Sequence, residues 1–121
     1  MNNQVVYDYD FKEDSLFIYS VEDYEYDVSL ELDNDVILDI DMERKPVAFE
    51  LLNASIVFNL DKPYFNNLTK IIIQSNITDE TIKLNVQLVV IIHDKNQTFD
   101  INRISTNLSG LPSIESELVT S

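Results

Sequence analysis

The residues of this chain best suited to chemistry are carboxylates at alternate positions of one apolar segment. Asp39 and Asp41 flank Ile40, and Glu50 follows in the next apolar segment. Carboxylate oxygens are preferred ligands of hard divalent cations. If the two segments pair as neighbouring strands, the three side chains share a face. We therefore name Asp39, Asp41 and Glu50 as weak candidates for a divalent-cation site.

A calcium-binding loop is the sharper alternative, because two further aspartates, Asp33 and Asp35, precede this segment. Such a loop needs a sharp turn at its middle, whereas Val36–Leu38 is an apolar run typical of a strand. An acid–base pair for hydrolysis needs one carboxyl desolvated and the other charged, and the sequence shows no such asymmetry. The pattern therefore favours a solvated sheet face.

His93 is the only histidine, and Asp94 follows it, so a His–Asp pair with a serine can be drawn. The chain has no cysteine, and its single glycine is Gly110. The sequence therefore contains no phosphate-binding loop, no dinucleotide fingerprint and no glycine-built oxyanion loop. We predict that the protein is not an enzyme, has no catalytic residue and no cofactor, and carries His93 as an ordinary strand-end residue.

Negative charge is concentrated in the first part of the chain. The formal net charge is −14; residues 1–50 hold fifteen acidic and three basic residues, whereas residues 51–121 hold seven and five. Such a surface repels nucleic acids and anionic membranes and attracts cations or basic proteins. It is either a solvated face that keeps the protein soluble or a recognition surface for a basic partner. The predicted partner-binding residues are Glu25, Asp27, Glu31, Asp39, Asp41 and Glu50.

Alternating apolar and polar residues, with β-branched and aromatic types, predict a series of strands before residue 53. They are Val5–Tyr9, Ser15–Ser20, Tyr24–Leu32, Val36–Asp41 and Val47–Leu52. Burial selects the register of the last two, because the apolar side chains share one face when Ile40 lies opposite Phe49 and Leu38 opposite Leu51.

The pattern changes after these strands. Asn53 can cap a helical turn that runs to residue 59, and Asp61 with Pro63 can start a second one that ends near residue 68. The alternative is that residues 56–58 continue the strand, because β-branched and aromatic side chains dominate there. We favour the helical interpretation, which predicts a short helical connection near residues 54–68.

The strongest structural signal is Thr81–His93, in which apolar and polar residues alternate before five apolar residues follow one another. Both faces of that end must be covered, by the core or by a second copy of the chain. Thr69–Asn76 predicts the strand before it, and Asn96–Gln97 predicts a reversal into Thr98–Ile104, which makes a three-stranded meander. The predicted oligomer interface is Leu88, Val89, Val90, Ile91 and Ile92.

These elements predict one mainly β domain with a minor helical part, in which two antiparallel β-meanders pack as a sandwich or half-barrel. The domain spans residues 1–104, with an acidic meander at 1–52, the helical connection at 53–68 and the second meander at 69–104. Residues 105–121 are rich in Ser and Thr and have no basic residue, which predicts a flexible tail. No apolar run approaches the roughly 18 residues of a membrane span and no signal peptide is recognisable, so we expect a cytoplasmic protein.

Four stretches resemble, in order and spacing, a family of short prokaryotic proteins, the domain of unknown function 2283 family. They are Tyr9-Asp10, Asp14–Ile18, Asp35–Asp41 and Val47–Ser55. The resemblance covers roughly residues 7–58, and its most specific part is the closing stretch that ends in Asn53-Ala54-Ser55. It implies a small antiparallel meander followed by a short helical piece, with no established activity. In some members it also implies pairing with a small toxin-like protein.

Two functions from different classes follow from these observations. The first is a non-enzymatic interaction module, antitoxin-like or an adaptor, whose acidic face binds a basic protein. The second is a structural homo-oligomer assembled through the apolar strand, with the charge preventing further stacking. A protein that binds a divalent cation weakly is a minor alternative.

Overall fold

A computed structural model describes residues 4–120; residues 1–3 and 121, at the ends of the predicted domain and tail, lie outside the described residues. The described residues form strands, one short α-helix and one 3₁₀ helix. In chain order these are β1 Gln4–Asp10, β2 Ser15–Ser20, β3 Tyr26–Asp33, β4 Val36–Asp41, β5 Pro46–Leu51, α1 Ala54–Phe58, the 3₁₀ helix Lys62–Asn67, β6 Leu68–Ile77, β7 Thr81–Ile92, β8 Lys95–Thr106 and β9 Ile114–Thr120.

All of these strands belong to one mixed sheet, in the order β3-β4-β5-β2-β1-β9-β6-β7-β8. The neighbouring strands are antiparallel except for β1 and β9, which pair in parallel. The sheet curls into a half-barrel, and the fold is mainly β with a small helical part. The predicted fold class is therefore confirmed, and its two meanders are the two halves of a single sheet.

Strand β9 joins the two halves, so the prediction of a flexible tail from residue 105 is wrong for residues 105–120. β9 pairs with β6 on one side and with β1 on the other. The loop before it is built by Asn107, whose amide group donates to the carbonyl oxygens of Thr78 and Leu111 and whose Oδ1 accepts from the N–H of Leu111. Leu118 packs into the core, and the polar residues beside it give the strand the composition of a tail.

Alternate side chains of the strands fill the inner face of the half-barrel. One row crosses β4, β5 and β2 through Leu38, Phe49 and Ile18, which are all fully buried. The two helices place Phe58 and Phe65 in the same core cluster. The helical interpretation of residues 54–68 is thus confirmed. Within residues 4–120, no helix has the length and apolarity needed to cross a membrane.

The register of β4 and β5 differs from the predicted one by two residues. Phe49 lies opposite Leu38 rather than Ile40. The turn is tighter than expected, because the N–H of Asp41 donates to the carbonyl oxygen of Lys45 at 3.0 Å. A shift of two residues leaves each side chain on its predicted face, since the side-chain period of a strand is two. The predicted apolar face of these strands is therefore buried even though the predicted pairing is wrong.

The chain reverses after β7 at His93–Asp94, and the prediction of a reversal at Asn96–Gln97 is wrong. Both turn residues have a positive φ, 52° and 63°, as in a two-residue hairpin of the type whose twist matches paired strands. Ile92 therefore pairs directly with Lys95. His93 and Asp94 are exposed at the tip of this hairpin.

Two arginines hold the open side of the half-barrel, between the edge strands β3 and β8. Arg103 of β8 places Nε 3.2 Å from Oδ2 of Asp33. Arg44, in the β4–β5 turn, places Nη1 2.6 Å from Oδ2 of Asp27 and donates from Nη2 to the carbonyl oxygen of Ser109 at 3.1 Å. These two residues are the only arginines in the sequence. Each of them joins the acidic half of the sheet to the C-terminal part of the chain.

Replacing Arg103 with Gln is expected to lower the free energy of unfolding by about 1 kcal/mol at low salt, because it removes partly exposed ion pairs with Asp33 and Asp35. The loss should shrink as salt rises. Urea denaturation at low and high salt measures it, with Lys95→Gln, at the other end of β8, as the matched control. An equal loss in the control, or a loss that salt does not change, contradicts ionic closure of the barrel.

Candidate functional site

The carboxylates predicted to bind a partner occupy different environments. Glu31 and Glu50 lie on the outer face of the sheet, one on each side of Ile37 in a row across β3, β4 and β5. Asp39 lies on the same face in the next row. Of the others, Asp27 is paired with Arg44 at the open side of the barrel, and Glu25 is exposed in the loop before β3.

The prediction that Asp41 binds a partner is wrong. Its side chain is only 4% exposed, and its Oδ1 accepts from the backbone N–H groups of Glu43 and Lys45 at 3.0 Å each. This carboxylate stabilises the β4–β5 turn and is not available to a partner. An aspartate that ends a strand just before a short turn is the sequence signal for this role.

The structure does not bring Asp39, Asp41 and Glu50 together as a metal site. Asp39 accepts from the hydroxyl of Ser29 at 2.6 Å, and Glu50 accepts from the hydroxyl of Ser15 at 3.3 Å. Across residues 4–120, no group of three or more His, Cys, Asp or Glu residues is arranged to hold a metal ion.

Phe17 and Tyr19 of β2 add an aromatic pair to the outer face. Their rings stack with centroids 5.0 Å apart and 22° between the planes. Phe17 lies between Glu50 and Asp8 in one row of the sheet. The charge of Asp8 raises the pKa of Tyr19, whose hydroxyl donates to Oδ2 of Asp8 at 3.2 Å. We call the following set the acidic aromatic face: Asp8, Phe17, Tyr19, Glu31, Asp39 and Glu50.

Two grooves border the acidic aromatic face. One, of about 830 Å³, lies beside the β1–β2 hairpin and is lined by several carboxylates and by Phe11, which is 52% exposed. The other, of about 590 Å³, lies at the β4–β5 turn and is lined by further carboxylates with Tyr24 and Met42. Burial, with the negative charge of Asp39, raises the pKa of Tyr24. Each groove thus combines negative charge with apolar surface.

A buried carboxylate ties the β1–β2 hairpin to α1. Asp14 is 7% exposed and accepts from the hydroxyl of Tyr9 at 2.6 Å and from the hydroxyl of Ser55 at 2.6 Å. Its Oδ1 also accepts from the N–H of Ser55 at 3.0 Å, and its own carbonyl oxygen accepts from the N–H of Ala54 at 2.9 Å. Asp14 therefore caps α1 from outside the helix, whereas Asn53 occupies the cap position without a side-chain bond.

The charge of Asp14 is stabilised in this position. Burial acts to raise the pKa of Asp14, but hydrogen bonds from Ser55 and Tyr9 and the positive charge of Lys62 outweigh it, so the pKa lies below its ordinary value. Burial and the Asp14 carboxylate raise the pKa of Tyr9 well above its ordinary value. The ring of Tyr9 stacks on Phe65 at 4.8 Å. We call Tyr9, Asp14 and Ser55 the hairpin–helix clamp.

The predicted oligomer interface is divided by the alternation of β7. Leu88 and Val90 are 0% and 1% exposed and belong to the core. The prediction is therefore wrong for these two residues, because a second copy cannot reach them. Ile91 is 53% exposed on the outer face, while Val89 and Ile92 are half-buried. For these three residues an interface stays a prediction.

The fold and these sites define an acidic, mainly β half-barrel with a buried clamp between its first hairpin and its helix. A family model described as "Protein of unknown function (DUF2283)" matches residues 7–55, a range that contains every residue of the clamp. The chain is 33% identical over 106 residues to a Methanosarcina mazei protein provisionally named a hypoxanthine phosphoribosyltransferase. The matched stretch covers 88% of this chain and 85% of that protein. The chain is 37% identical over 89 residues to an uncharacterised protein of Methanocaldococcus jannaschii, which covers 73% of this chain and 75% of that protein.

The chain belongs to the DUF2283 family of proteins of unknown function. The resemblance found in the sequence is thereby confirmed. No solved structure matches the chain at a significant level. Three of the stretches that carry the resemblance, Tyr9-Asp10, Asp14–Ile18 and Val47–Ser55, contain the residues of the hairpin–helix clamp.

Proposed function

We propose that this protein is a non-enzymatic interaction module that binds a basic protein segment on its acidic aromatic face, as an antitoxin or an adaptor would. The observation that carries the proposal is the stacked pair Phe17–Tyr19 on the outer face of the sheet, where both rings are half-buried and Phe17 lies between Asp8 and Glu50. Aromatic rings beside carboxylates can contact both the charge and the aliphatic stem of an arginine or a lysine.

Charge supports the choice of a basic partner. Residues 1–50 carry twelve more acidic than basic residues, and two of the three basic residues are already paired, Arg44 with Asp27 and Lys45 with Glu43. The remaining negative field accelerates the approach of a positively charged protein and disfavours nucleic acids. We therefore expect the rate of association to depend more on the charge of the partner than on the strength of any single contact.

We also propose that the protein catalyses no reaction. The hydroxyl of Ser55 donates to a carboxylate whose pKa is lowered, which makes Asp14 a poor base, and His93 lies exposed at a hairpin tip. An enzyme with the activity that the M. mazei relative is named for would have to hold a phosphate-bearing substrate. Glycine-rich loops at helix N-termini are the common device for this, and the single glycine, Gly110, lies between β8 and β9.

A pull-down of the tagged protein from its native lysate, at low and at high salt, tests the interaction. We expect one basic protein in stoichiometric amount at low salt and its loss at high salt. The double variant Asp8→Asn/Glu50→Gln and the single variant Phe17→Ser should each weaken capture about tenfold, the equivalent of about 1.4 kcal/mol.

The matched control is Glu115→Gln/Glu117→Gln, which removes the same charge from β9, outside the acidic aromatic face. It should leave capture unchanged apart from a small general effect of net charge. If the control weakens capture as much as the variants of the acidic aromatic face, or if neither does, that face is not the binding surface.

A second function, a homo-oligomer, is favoured by the exposure of Ile91 on the half of the sheet that carries little net charge. The proposed contact consists of Val89, Ile91 and Ile92 and leaves out the buried Leu88 and Val90. The native mass in solution tests it: a multimer that Ile91→Asp returns to a monomer supports the interface, and a wild-type monomer removes it.

A further inference from the structure

A groove of about 620 Å³ lies on the outer face of the C-terminal strands, away from the acidic aromatic face. Two rows of side chains cross β9, β6, β7 and β8 there. The first row is Glu115, Asn76, Lys83 and Ile104, and the second is Glu117, Gln74, Asn85 and Asn102. Every residue of both rows lines the groove, and its volume is in the range of small-molecule sites.

Opposite charges stand on opposite sides of this groove. Glu115 and Glu117 lie on β9, and Lys83 lies on β7 with β6 between them. Two strand spacings separate the backbones by about 10 Å. Within the described part of the chain, neither Lys83 nor Glu115 forms an ion pair, and Glu117 accepts a single bond, from Nε2 of Gln74 at 2.9 Å.

Primary amides line both rows, and those of β6, Gln74 and Asn76, lie between the charged strands. Asn85 donates from Nδ2 to Oδ1 of Asn102 at 2.9 Å and to the carbonyl oxygen of Ile101 at 3.3 Å, which fixes its orientation. Its Oδ1 has no accessible surface and no hydrogen-bond partner among the described residues. The side chain of Asn76 makes no hydrogen bond in the described residues and stands between Glu115 and Lys83. An amide donates and accepts at once, so Asn76 suits a peptide group.

We propose that this groove binds a small zwitterion of the dipeptide class. The ammonium group of the ligand lies at Glu115 and Glu117, its carboxylate lies at Lys83, and its peptide group lies over Asn76. A ligand with only negative charge would be repelled by the two glutamates, and one with only positive charge would be repelled by the lysine. The site is separate from the acidic aromatic face and does not depend on a protein partner there.

Alanyl-alanine is a suitable probe, followed by amide chemical shifts of the ¹⁵N-labelled protein. We expect shifts that cluster on the two rows and a dissociation constant on the order of millimolar, because the charges are exposed. The controls are three capped forms of the same dipeptide: acetylated at the amino end, amidated at the carboxyl end, and capped at both. Each capped form should bind more weakly than the zwitterion.

Variants then assign each end of the ligand. Lys83→Met should weaken binding of alanyl-alanine about fivefold, so that the variant binds alanyl-alanine no more tightly than its amidated form. Glu115→Gln should also weaken binding of alanyl-alanine, so that this variant binds alanyl-alanine no more tightly than its acetylated form. Lys95→Met, which removes a lysine at the start of β8, should change neither. Equal binding of the capped and uncapped peptides, shifts outside the two rows, or no shifts at high millimolar peptide overturns the proposal.

Discussion

Replacing Asp14 with alanine is expected to lower the free energy of unfolding by about 4 kcal/mol. The change removes the acceptor for the hydroxyl groups of Tyr9 and Ser55 and for the N–H of Ser55. Each lost bond to a charged acceptor, with a donor left unpaired in a part-buried position, costs about 1 kcal/mol or more. Asp14 also has a positive φ of 54°, which costs alanine about 1 kcal/mol more. Urea denaturation measures the loss.

Two further variants separate the clamp from the backbone conformation. Asp14→Asn keeps a residue that tolerates positive φ and should still cost about 2 kcal/mol, because the charge and one acceptor are lost. Asp10→Ala, in the same hairpin, removes an exposed acceptor for the N–H of Glu13 and should cost less than about 1 kcal/mol. If Asp14→Asn is as stable as the wild type, the clamp does not stabilise the fold.

The contribution of Asp14 should also depend on pH in one direction. Its pKa is lower in the folded protein than the ordinary value, which is about 3.9 for an aspartate in an unfolded chain. Its stabilisation is therefore complete above that ordinary pKa and is lost as pH falls through the lower, folded pKa. The difference in unfolding free energy between the wild type and Asp14→Asn should be constant near neutral pH and should narrow in acid.

Strands that alternate clearly can be predicted from this sequence, because their apolar residues have a single face to fill. β7 shows this best, since the predicted Thr81–His93 differs from Thr81–Ile92 by only one residue. β9 could not be predicted, because Leu118 is its one fully core-facing apolar residue and its order comes from the neighbours β1 and β6. Pairing between distant segments leaves no local signal of that kind.

Turn positions were less predictable than strands for a related reason. His93 and Asp94 both adopt positive φ, and a histidine is not a residue that sequence rules place there. The register of twelve paired residues between β7 and β8 determines this turn, so its position follows from sheet pairing rather than from turn residues. The predicted register of β4 and β5 was wrong for a similar reason, because Asp41 tightens the turn through backbone and side-chain hydrogen bonds.

The candidate site was predictable in its charge but not in its geometry. Sequence alternation places Asp39 and Glu50 on one face, and they lie there. The same argument fails for Asp41, since a strand-end residue can turn its side chain into the next loop. The hairpin–helix clamp joins Asp14 to Ser55, 41 residues later. The resemblance to a family marks both residues, but only the fold shows that they bond to each other.

Replacing Val90 with aspartate should cost at least about 4 kcal/mol, whereas Ile91→Asp, one residue later, should cost about 1 kcal/mol or less. Val90 is 1% exposed in the core and Ile91 is 53% exposed on the outer face. An unpaired charge in an apolar core is among the most destabilising of single changes. The same aspartate on a solvated strand position costs only its poor fit to a strand.

Urea denaturation and native mass should be measured on both variants. If Val90→Asp does not yield folded protein, Val90→Ala keeps the comparison possible, with an expected loss of about 2 kcal/mol from the cavity alone. Equal losses at the two positions would mean that both faces of β7 are covered, which requires a second copy over Ile91. Because the mass of Ile91→Asp reports that second copy directly, the pair of variants distinguishes a monomer with an exposed isoleucine from an assembly that buries it.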